Sequence, residues 1–401
     1  MRIAQVAPLA ESVPPRLYGG TERVVSNLTE ELVRRGHDVV LFASGDSNTA
    51  AELVACCPGG LRLNASIRDH VAYTMIELGK VSARAHEFDI IHNHVDYLAL
   101  PTARQTETPM VTTLHGRLDL PELQDVYAEF SEQYVVSISH AQRRPLPHAR
   151  WLATVYNGIP LSHFTFRECP GKYLAFLGRI SPEKGIDRAI EIAKAVDMPL
   201  RIAAKVDPVD REYFTGEIKP MLRDPRVEYI GEIDETQKDE FLGNAFAYLF
   251  PINWPEPFGM TMIEAMACGT PVIAMNLGSV PEVVVHGQTG FVCRSQAEMI
   301  DAVQKVGDLS RDACRTHVEH HFSAPRMAEM YETVYRTVMT EKFDDADAGV
   351  RRSNYNAIGD EVRSLTRIQH PSPLAESASS GMDWGVGGAG RMVGPAQRYR
   401  T

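Results

Sequence analysis

No stretch of the 401-residue chain approaches the roughly 20 consecutive apolar residues of a membrane-spanning helix, and residues 1–9 are too short and lack the flanks of a secretory leader. No transmembrane segment and a cytoplasmic location are therefore expected. Cysteines are few and show no C-x-x-C or zinc spacing: Cys56, Cys57, Cys169, Cys268, Cys293 and Cys314 read as free or buried thiols rather than a disulfide framework or a zinc site. Positive charge is also short, with 41 Lys and Arg against 52 Asp and Glu and a net charge of −11. That balance argues against a nucleic-acid or anionic-lipid partner and leaves peripheral membrane contact open. No G-x-G-x-x-G follows the first strand of either half, which disfavours a nicotinamide oxidoreductase, and no repeat of solenoid period is present.

What the chain does contain is an alternation of short apolar runs with helix-period segments. At 44% hydrophobic content its length is enough for two α/β domains with full cores. Residues 2–6 read as a strand and 21–35 as a helix with Val24, Val25, Leu28 and Leu32 on one face, closed by Gly36. Further strands are expected at 39–43, 89–92, 110–114 and 134–137, with a longer helical pattern through Ile67, Val71, Met75 and Leu78. The pattern restarts after the turn Asn157-Gly158-Ile159-Pro160, with strands at 173–177, 200–204, 227–230, 247–250 and 272–274 and a helix at 186–195. Both halves are thus α/β, parallel and doubly wound. Beyond them, 354–367 has the pattern for one marginal helix. Residues 372–401, rich in Gly, Ser and Pro, are expected to be disordered because they cannot bury enough surface to offset chain entropy.

The most informative stretch is Glu256-Pro257-Phe258-Gly259-Met260-Thr261-Met262-Ile263-Glu264, followed by a small, apolar run to Gly269. A turn at 257–259 and a helix from Met260 would place Glu264 in the first helical turn and Glu256 just before it, both facing one ligand. Carboxylates accept hydrogen bonds from vicinal hydroxyls, and the unpaired amides of Gly259, Met260 and Thr261 suit a phosphate. A nucleotide sugar offers both groups. The plainer alternative makes Glu256 a helix cap and Glu264 a solvated helix residue. Trp254-Pro255 ahead of the pair and the small residues after it point instead to a helix packed beside a cleft.

On these residues the chain resembles the retaining GT-B glycosyltransferases of family 4, over roughly the first 340 residues and most strongly over 256–291. The resemblance implies two facing Rossmann-like domains with a cleft between them: an acceptor-binding domain at 1–165 and a nucleotide-sugar-binding domain at 166–324. It also implies a helix at 325–340 crossing back to the first domain, with 341–401 left as a mostly disordered tail. By the same resemblance Glu256 contacts the donor sugar and Glu264 the ribose, with Phe258, Gly259, Met260 and Thr261 around the donor. Pro257 stands where many relatives carry glycine, which stiffens the turn without removing a needed amide.

Three more clusters sit at strand ends, where open α/β sheets bind ligands. Tyr18-Gly19-Gly20-Thr21 opens the first helix; a glycine turn with Thr21 as cap explains it as well as a phosphate loop does, and the resemblance favours a donor role for Gly19 and Gly20. Arg179 and Lys184 place two cations at the end of the second domain's first strand, where an anion would satisfy them better than solvent. The resemblance makes that anion the donor diphosphate, with the two cations standing in for a metal. His115 follows the strand at 110–114; a structural role and a functional one weigh evenly on the residues alone, and the resemblance places it against the donor sugar in catalytic support. His92-Asn93-His94 with Asp96 offers superficial metal ligands but no fourth, so structural or acceptor-site histidines are expected. Asp-x-Asp occurs only as Asp345-Ala346-Asp347, in a polar segment, and is discounted. No metal and no cofactor are expected.

The expected activity is transfer of a hexose from a nucleotide sugar, UDP-glucose first and GDP-mannose second, to a hydroxyl acceptor, with retention of configuration. Base contacts are placed around Lys205 and 231–233, and the acceptor is left open. A nucleotide-sugar epimerase or phosphorylase of similar fold would lack this glutamate pair. A non-catalytic two-lobed binding protein would have no need of Arg179 and Lys184 beside it.

Overall fold

Runs that are apolar on both faces, such as 39–43 and 174–177, form parallel strands buried from both sides and therefore require helices above and below each sheet. The computed structural model describes residues 1–62 and 64–347, with 342–347 as backbone alone. The first sheet holds β1 (Arg2–Val6), β2 (Asp38–Ser44), β3 (Glu52–Cys57), β4 (Ile90–Asn93), β5 (Met110–Leu114), β6 (Tyr134–Ser137) and β7 (Trp151–Thr154), in the order β3-β2-β1-β4-β5-β6-β7. The second holds β8 (Leu174–Arg179), β9 (Leu200–Lys205), β10 (Val227–Gly231), β11 (Ala247–Phe250), β12 (Val272–Met275) and β13 (Gly290–Cys293), in the order β10-β9-β8-β11-β12-β13. Every neighbouring pair in both sheets is parallel. This is the α/β, doubly wound pair of Rossmann-like domains expected from the sequence. Strand order reverses between β1 and β4 and between β8 and β11, and crevices form at the carboxyl ends of such strands.

The three strands missing from the sequence reading, β3, β7 and β13, all lie at sheet edges. Edge strands bury less and alternate less clearly, as the half-exposed residues of Glu52–Cys57 and Trp151–Thr154 show. A second departure concerns α2 (His70–Arg84). Its apolar face was expected through Val71, Met75 and Leu78, yet Val71 and Met75 are exposed and the helix packs through Leu78, Val81 and the following Ala85. Two apolar stripes compete on this helix. The one continuous with Phe42, Cys56 and Phe88 wins because it joins an existing core. By contrast α1 (Gly20–Arg34) buries Val24, Val25, Leu28 and Leu32 as expected and ends before Gly36, whose φ is +88°.

The chain crosses between the sheets twice, and the crossings touch. Ile159 bridges Ser323, its amide donating to Phe322 O at 2.9 Å while Ala324 N donates back to Ile159 O at 2.9 Å. Gly158 allows this approach, since a Cβ there would lie 2.5 Å from Ser323 O. After the second crossing α4 (Ala324–Asp347) buries Met327, Tyr331, Val334, Tyr335 and Val338 against Ile3, Leu28 and Val136 of the first domain. Asp345-Ala346-Asp347 falls on its last turn. The expectations for 354–367 and 372–401 lie outside the described residues. All six thiols are free; five are buried and Cys169 is exposed.

Candidate active site

The carboxyl ends of the two sheets face each other across a cleft of about 570 Å³. Every residue expected at the site lines it: Gly19, Gly20 and His115 from the first domain, and Arg179, Lys184, Glu256, Phe258, Gly259, Met260, Thr261 and Glu264 from the second.

On the second domain, β8 ends at Arg179 and the short turn Pro182–Lys184 follows, so both cations stand at one strand end. The loop after β11 brings in Glu256, and Lys184 Nζ lies 2.5 Å from Glu256 Oε2. Trp254 Nε1 donates to the same oxygen at 2.9 Å, and its ring lies 5.2 Å from the ammonium. Burial works against the Lys184 charge, but the Glu256 carboxylate outweighs it and the pKa is raised. Glu256 is pinned from behind by Gly278, whose φ of +58° presses its backbone onto that of Glu256; a Cβ at this position would sit 2.3 Å from Glu256 O.

The helix α3 (Met260–Ala267) is preceded by Gly259 at the cap position, which has no side chain to cap it, so the amides of Met260 and Thr261, both lining the cleft, have no side-chain cap. Glu264 lies in the second turn of α3, not the first as expected, because the helix starts at Met260 and four residues precede it. It is nonetheless turned to the cleft. Glu264 is 2% exposed; Oε1 meets Lys238 Nζ at 3.0 Å, and Oε2 is buried without a hydrogen-bond partner. Burial lowers and Glu264 and Glu235 raise the pKa of Lys238, and the carboxylates prevail. Phe258 reaches the cleft, but its ring lies in the core between Tyr156 and Phe322, at centroid distances of 6.2 and 5.9 Å.

Arg179 is not an unpaired cation. It contacts Glu183, Asp207 at 3.7 Å and Asp210 at 3.3 Å, so an incoming anion competes with three carboxylates. On the first domain, α1 starts at Gly20 with Gly19 as its N-terminal cap, leaving Thr21 inside the helix. A Cβ at Gly19 would meet Pro15 at 2.7 Å, whereas one at Gly20 would meet nothing within 4 Å, so the space beside Gly20 is open to a ligand. His115 follows β5, half-buried, with Nε2 2.9 Å from His94 Nδ1. Burial pushes its pKa down to about 3, which keeps the ring neutral. His92 and His94 make hydrogen bonds with Thr113, Tyr335 and Gln5. Among the described residues no group of three or more His, Cys, Asp or Glu is arranged around a metal position.

Contacts also cross the cleft mouth. Tyr18 N donates to Glu232 Oε1 at 3.2 Å, Lys205 Nζ lies 4.0 Å from the Tyr18 ring centre, and Arg23 pairs with Glu235 at 3.3 Å. Sequence reasoning missed Lys238, Glu22, Asn157 and Glu282. Glu22 lines the cleft and is 5% exposed; burial, aided by the Glu11 charge, raises its pKa to about 7. Asn157, also in the cleft wall, holds Oδ1 buried without a partner. Glu282 joins the domains by accepting from the amides of His140 and Ala141, both at 2.7 Å, and from Tyr156 OH at 3.1 Å. No local pattern marks Lys238 and Glu282, because their partners Glu264, His140, Ala141 and Tyr156 are distant in sequence.

Two facing doubly wound domains with the ligand cleft between them are the GT-B architecture. The family model described as "Glycosyltransferase Family 4" matches residues 18–163, and that described as "Glycosyl transferases group 1" matches 167–320. The chain belongs to the family 4 glycosyltransferases. It is 26% identical over 351 residues to glycogen synthase from Mycobacterium tuberculosis, covering 74% of this chain and 84% of that protein. It is 26% identical over 322 residues to the phosphatidyl-myo-inositol mannosyltransferase of Mycolicibacterium smegmatis, covering 72% and 80%. The crystal structure of Anabaena HepE in complex with UDP-glucose shares the fold with a TM-score of 0.64 at 17% identity, covering 84% of this chain and 100% of that one. No helix among the described residues is long and apolar enough to cross a membrane.

Proposed function

We propose that this glycosyltransferase moves a hexose from a nucleotide sugar, UDP-glucose in the first place and GDP-mannose in the second, to a hydroxyl acceptor with retention of configuration. The observation that carries the reading is the pairing of Glu256 with Lys184 and of Glu264 with Lys238 in one cleft beside the uncapped first amides of α3. Each carboxylate is held in place by an ammonium, ready to accept sugar hydroxyls: Glu256 from the hexose and Glu264, through its unpartnered Oε2, from the ribose. Lys184, Arg179 and the α3 amides supply positive potential where the departing diphosphate develops charge. In the proposed step the C1–O bond to the diphosphate breaks and the acceptor oxygen bonds to C1 on the same face. The leaving phosphate oxygen takes the acceptor's proton. No protein base is assigned. A UDP donor is supported by the fold shared with HepE, whose structure holds UDP-glucose.

Calorimetric titration with UDP, GDP and ADP, then with the matching sugar nucleotides and without added metal, tests the donor. Micromolar binding of UDP and UDP-glucose is expected; failure of all three nucleotides with folded protein would overturn the reading. Glu256→Ala and Arg179→Ala proteins that still transferred sugar at the wild-type rate would overturn the residue roles.

A further inference from the structure

A buried polar chain runs from α4 to His115. Tyr331 OH lies 2.9 Å from Thr113 Oγ1, which lies 2.7 Å from His92 Nε2; His92 Nδ1 lies 2.8 Å from Tyr335 OH. Gln5 Nε2 donates to Tyr335 OH at 3.1 Å, Gln5 Oε1 lies 2.9 Å from His94 Nε2, and His94 Nδ1 lies 2.9 Å from His115 Nε2. Gln5, His92, His94, Thr113, Tyr331 and Tyr335 are all at most 1% exposed. Such a chain is stable when every donor meets an acceptor, which gives it a direction. Tyr335 accepts from Gln5 and so donates to His92 Nδ1; His92 then donates from Nε2 to Thr113, and Thr113 to Tyr331. On the other side, Gln5 Oε1 accepts from His94 Nε2, leaving His94 Nδ1 as the acceptor for His115. Burial lowers the pKa of all three imidazoles, so each carries one ring proton.

We propose that Gln5, His94 and Tyr335 are positioning residues that hold His115 as its Nε2–H tautomer, so that it meets a sugar hydroxyl as an acceptor through Nδ1. The inference rests on the reading of His115 as a residue facing the donor sugar. It adds that the orienting information comes from a helix beyond the second domain: Tyr335 is 330 residues from Gln5 in sequence. Without the Tyr335 hydroxyl the Gln5 amide loses the acceptor that fixes its orientation. A flipped amide would donate to His94 Nε2, His94 would donate from Nδ1 to His115 Nε2, and His115 would carry its proton on Nδ1. Tyr331 ends the chain on the far side of Thr113, so removing its hydroxyl leaves the Tyr335–Gln5–His94 arm intact.

The test is ¹⁵N NMR of the histidine rings in full-length Tyr335→Phe, Tyr331→Phe and Gln5→Met proteins, with the His115 signals assigned by their loss in His115→Asn, alongside steady-state transfer from UDP-glucose. Wild type and Tyr331→Phe should show the Nε2–H tautomer of His115 and equal kcat. Tyr335→Phe should shift His115 toward Nδ1–H and lower kcat by about 10- to 100-fold through misorientation, with the KM for donor little changed. Gln5→Met, which keeps volume but offers neither amide contact, should give mixed tautomers and an intermediate kcat, and serves if Tyr335→Phe does not fold. An unchanged His115 tautomer in both Tyr335→Phe and Gln5→Met, or equal effects of Tyr331→Phe and Tyr335→Phe, would overturn the proposal. Wild-type transfer by His115→Asn would instead overturn the role given to His115, while the ring spectra would still report whether the relay sets its proton.

Discussion

Lys184 and Glu256, 72 residues apart, meet at 2.5 Å with Trp254 closing the third side, so the cation expected at the phosphate and the carboxylate expected at the sugar form one unit in the cleft. Donor binding must therefore share this pair between two parts of one ligand, the diphosphate on the lysine and the hexose on the glutamate.

Removing one member leaves the other charge half-buried without its counter-ion. Lys184→Met should cost roughly 2–4 kcal/mol of stability, and Lys184→Met/Glu256→Gln should recover most of it. Transfer should stay reduced by about 10²-fold or more in both, because neutral side chains supply no field at the reacting bonds. Urea denaturation read beside steady-state rates separates the effects; a double variant with restored activity would refute the catalytic role of the pair.

Gly278→Ala should displace Glu256, since the added methyl meets its carbonyl at 2.3 Å and its amide at 2.4 Å. The expected result is a fall in kcat of about 10²-fold or more with UDP affinity little changed, because the shift falls on the sugar end of the site. Calorimetry with UDP and kinetics with UDP-glucose check both halves.

Glu22 carries a pH signature. Its folded pKa of about 7 lies above the ordinary 4.5, so between those values the folded protein holds a proton that the unfolded chain has released. Stability from this group is fully present below about pH 4.5 and is lost as pH rises through about 7, a change on the order of 3 kcal/mol. Glu22→Gln should remove that fall, so its melting temperature should gain on wild type from pH 5 to pH 8; parallel curves would refute the assignment.

Glu282→Ala should loosen the domains, because it strips the acceptor from the amides of His140 and Ala141 and from Tyr156 OH. A loss of about 2–3 kcal/mol is expected. Spin labels placed on the two domains should report a broader distance distribution, and the KM for donor should rise; an unchanged distribution would show that the contact does not set the closure.

The two domains could be read from the chain because buried parallel strands are continuous apolar runs and the helices between them keep one apolar face; Met110–Leu114 and Ile186–Ala195 are found at the expected residues. The edge strands β3, β7 and β13 escaped because their half-solvated residues carry little pattern. The face of α2 was misjudged because Val71 and Met75 make as good a stripe as Leu78 and Val81, and only the neighbouring core decides between them.

From its residues alone, the chain determined the doubly wound architecture and the cleft's chemistry. Glu256 and Glu264 flank one helix start, and Arg179 and Lys184 stand at one strand end; these are local facts of spacing. Tertiary structure alone decided what each charge touches: Lys238 on Glu264, three carboxylates around Arg179, and Tyr335 joined through Gln5 to His94 and His115. The reason is range. Backbone hydrogen bonding and hydrophobic periodicity act over a few residues and leave a mark in the sequence, whereas an ion pair or a buried polar relay depends on atoms brought within about 3 Å by the packing of whole sheets.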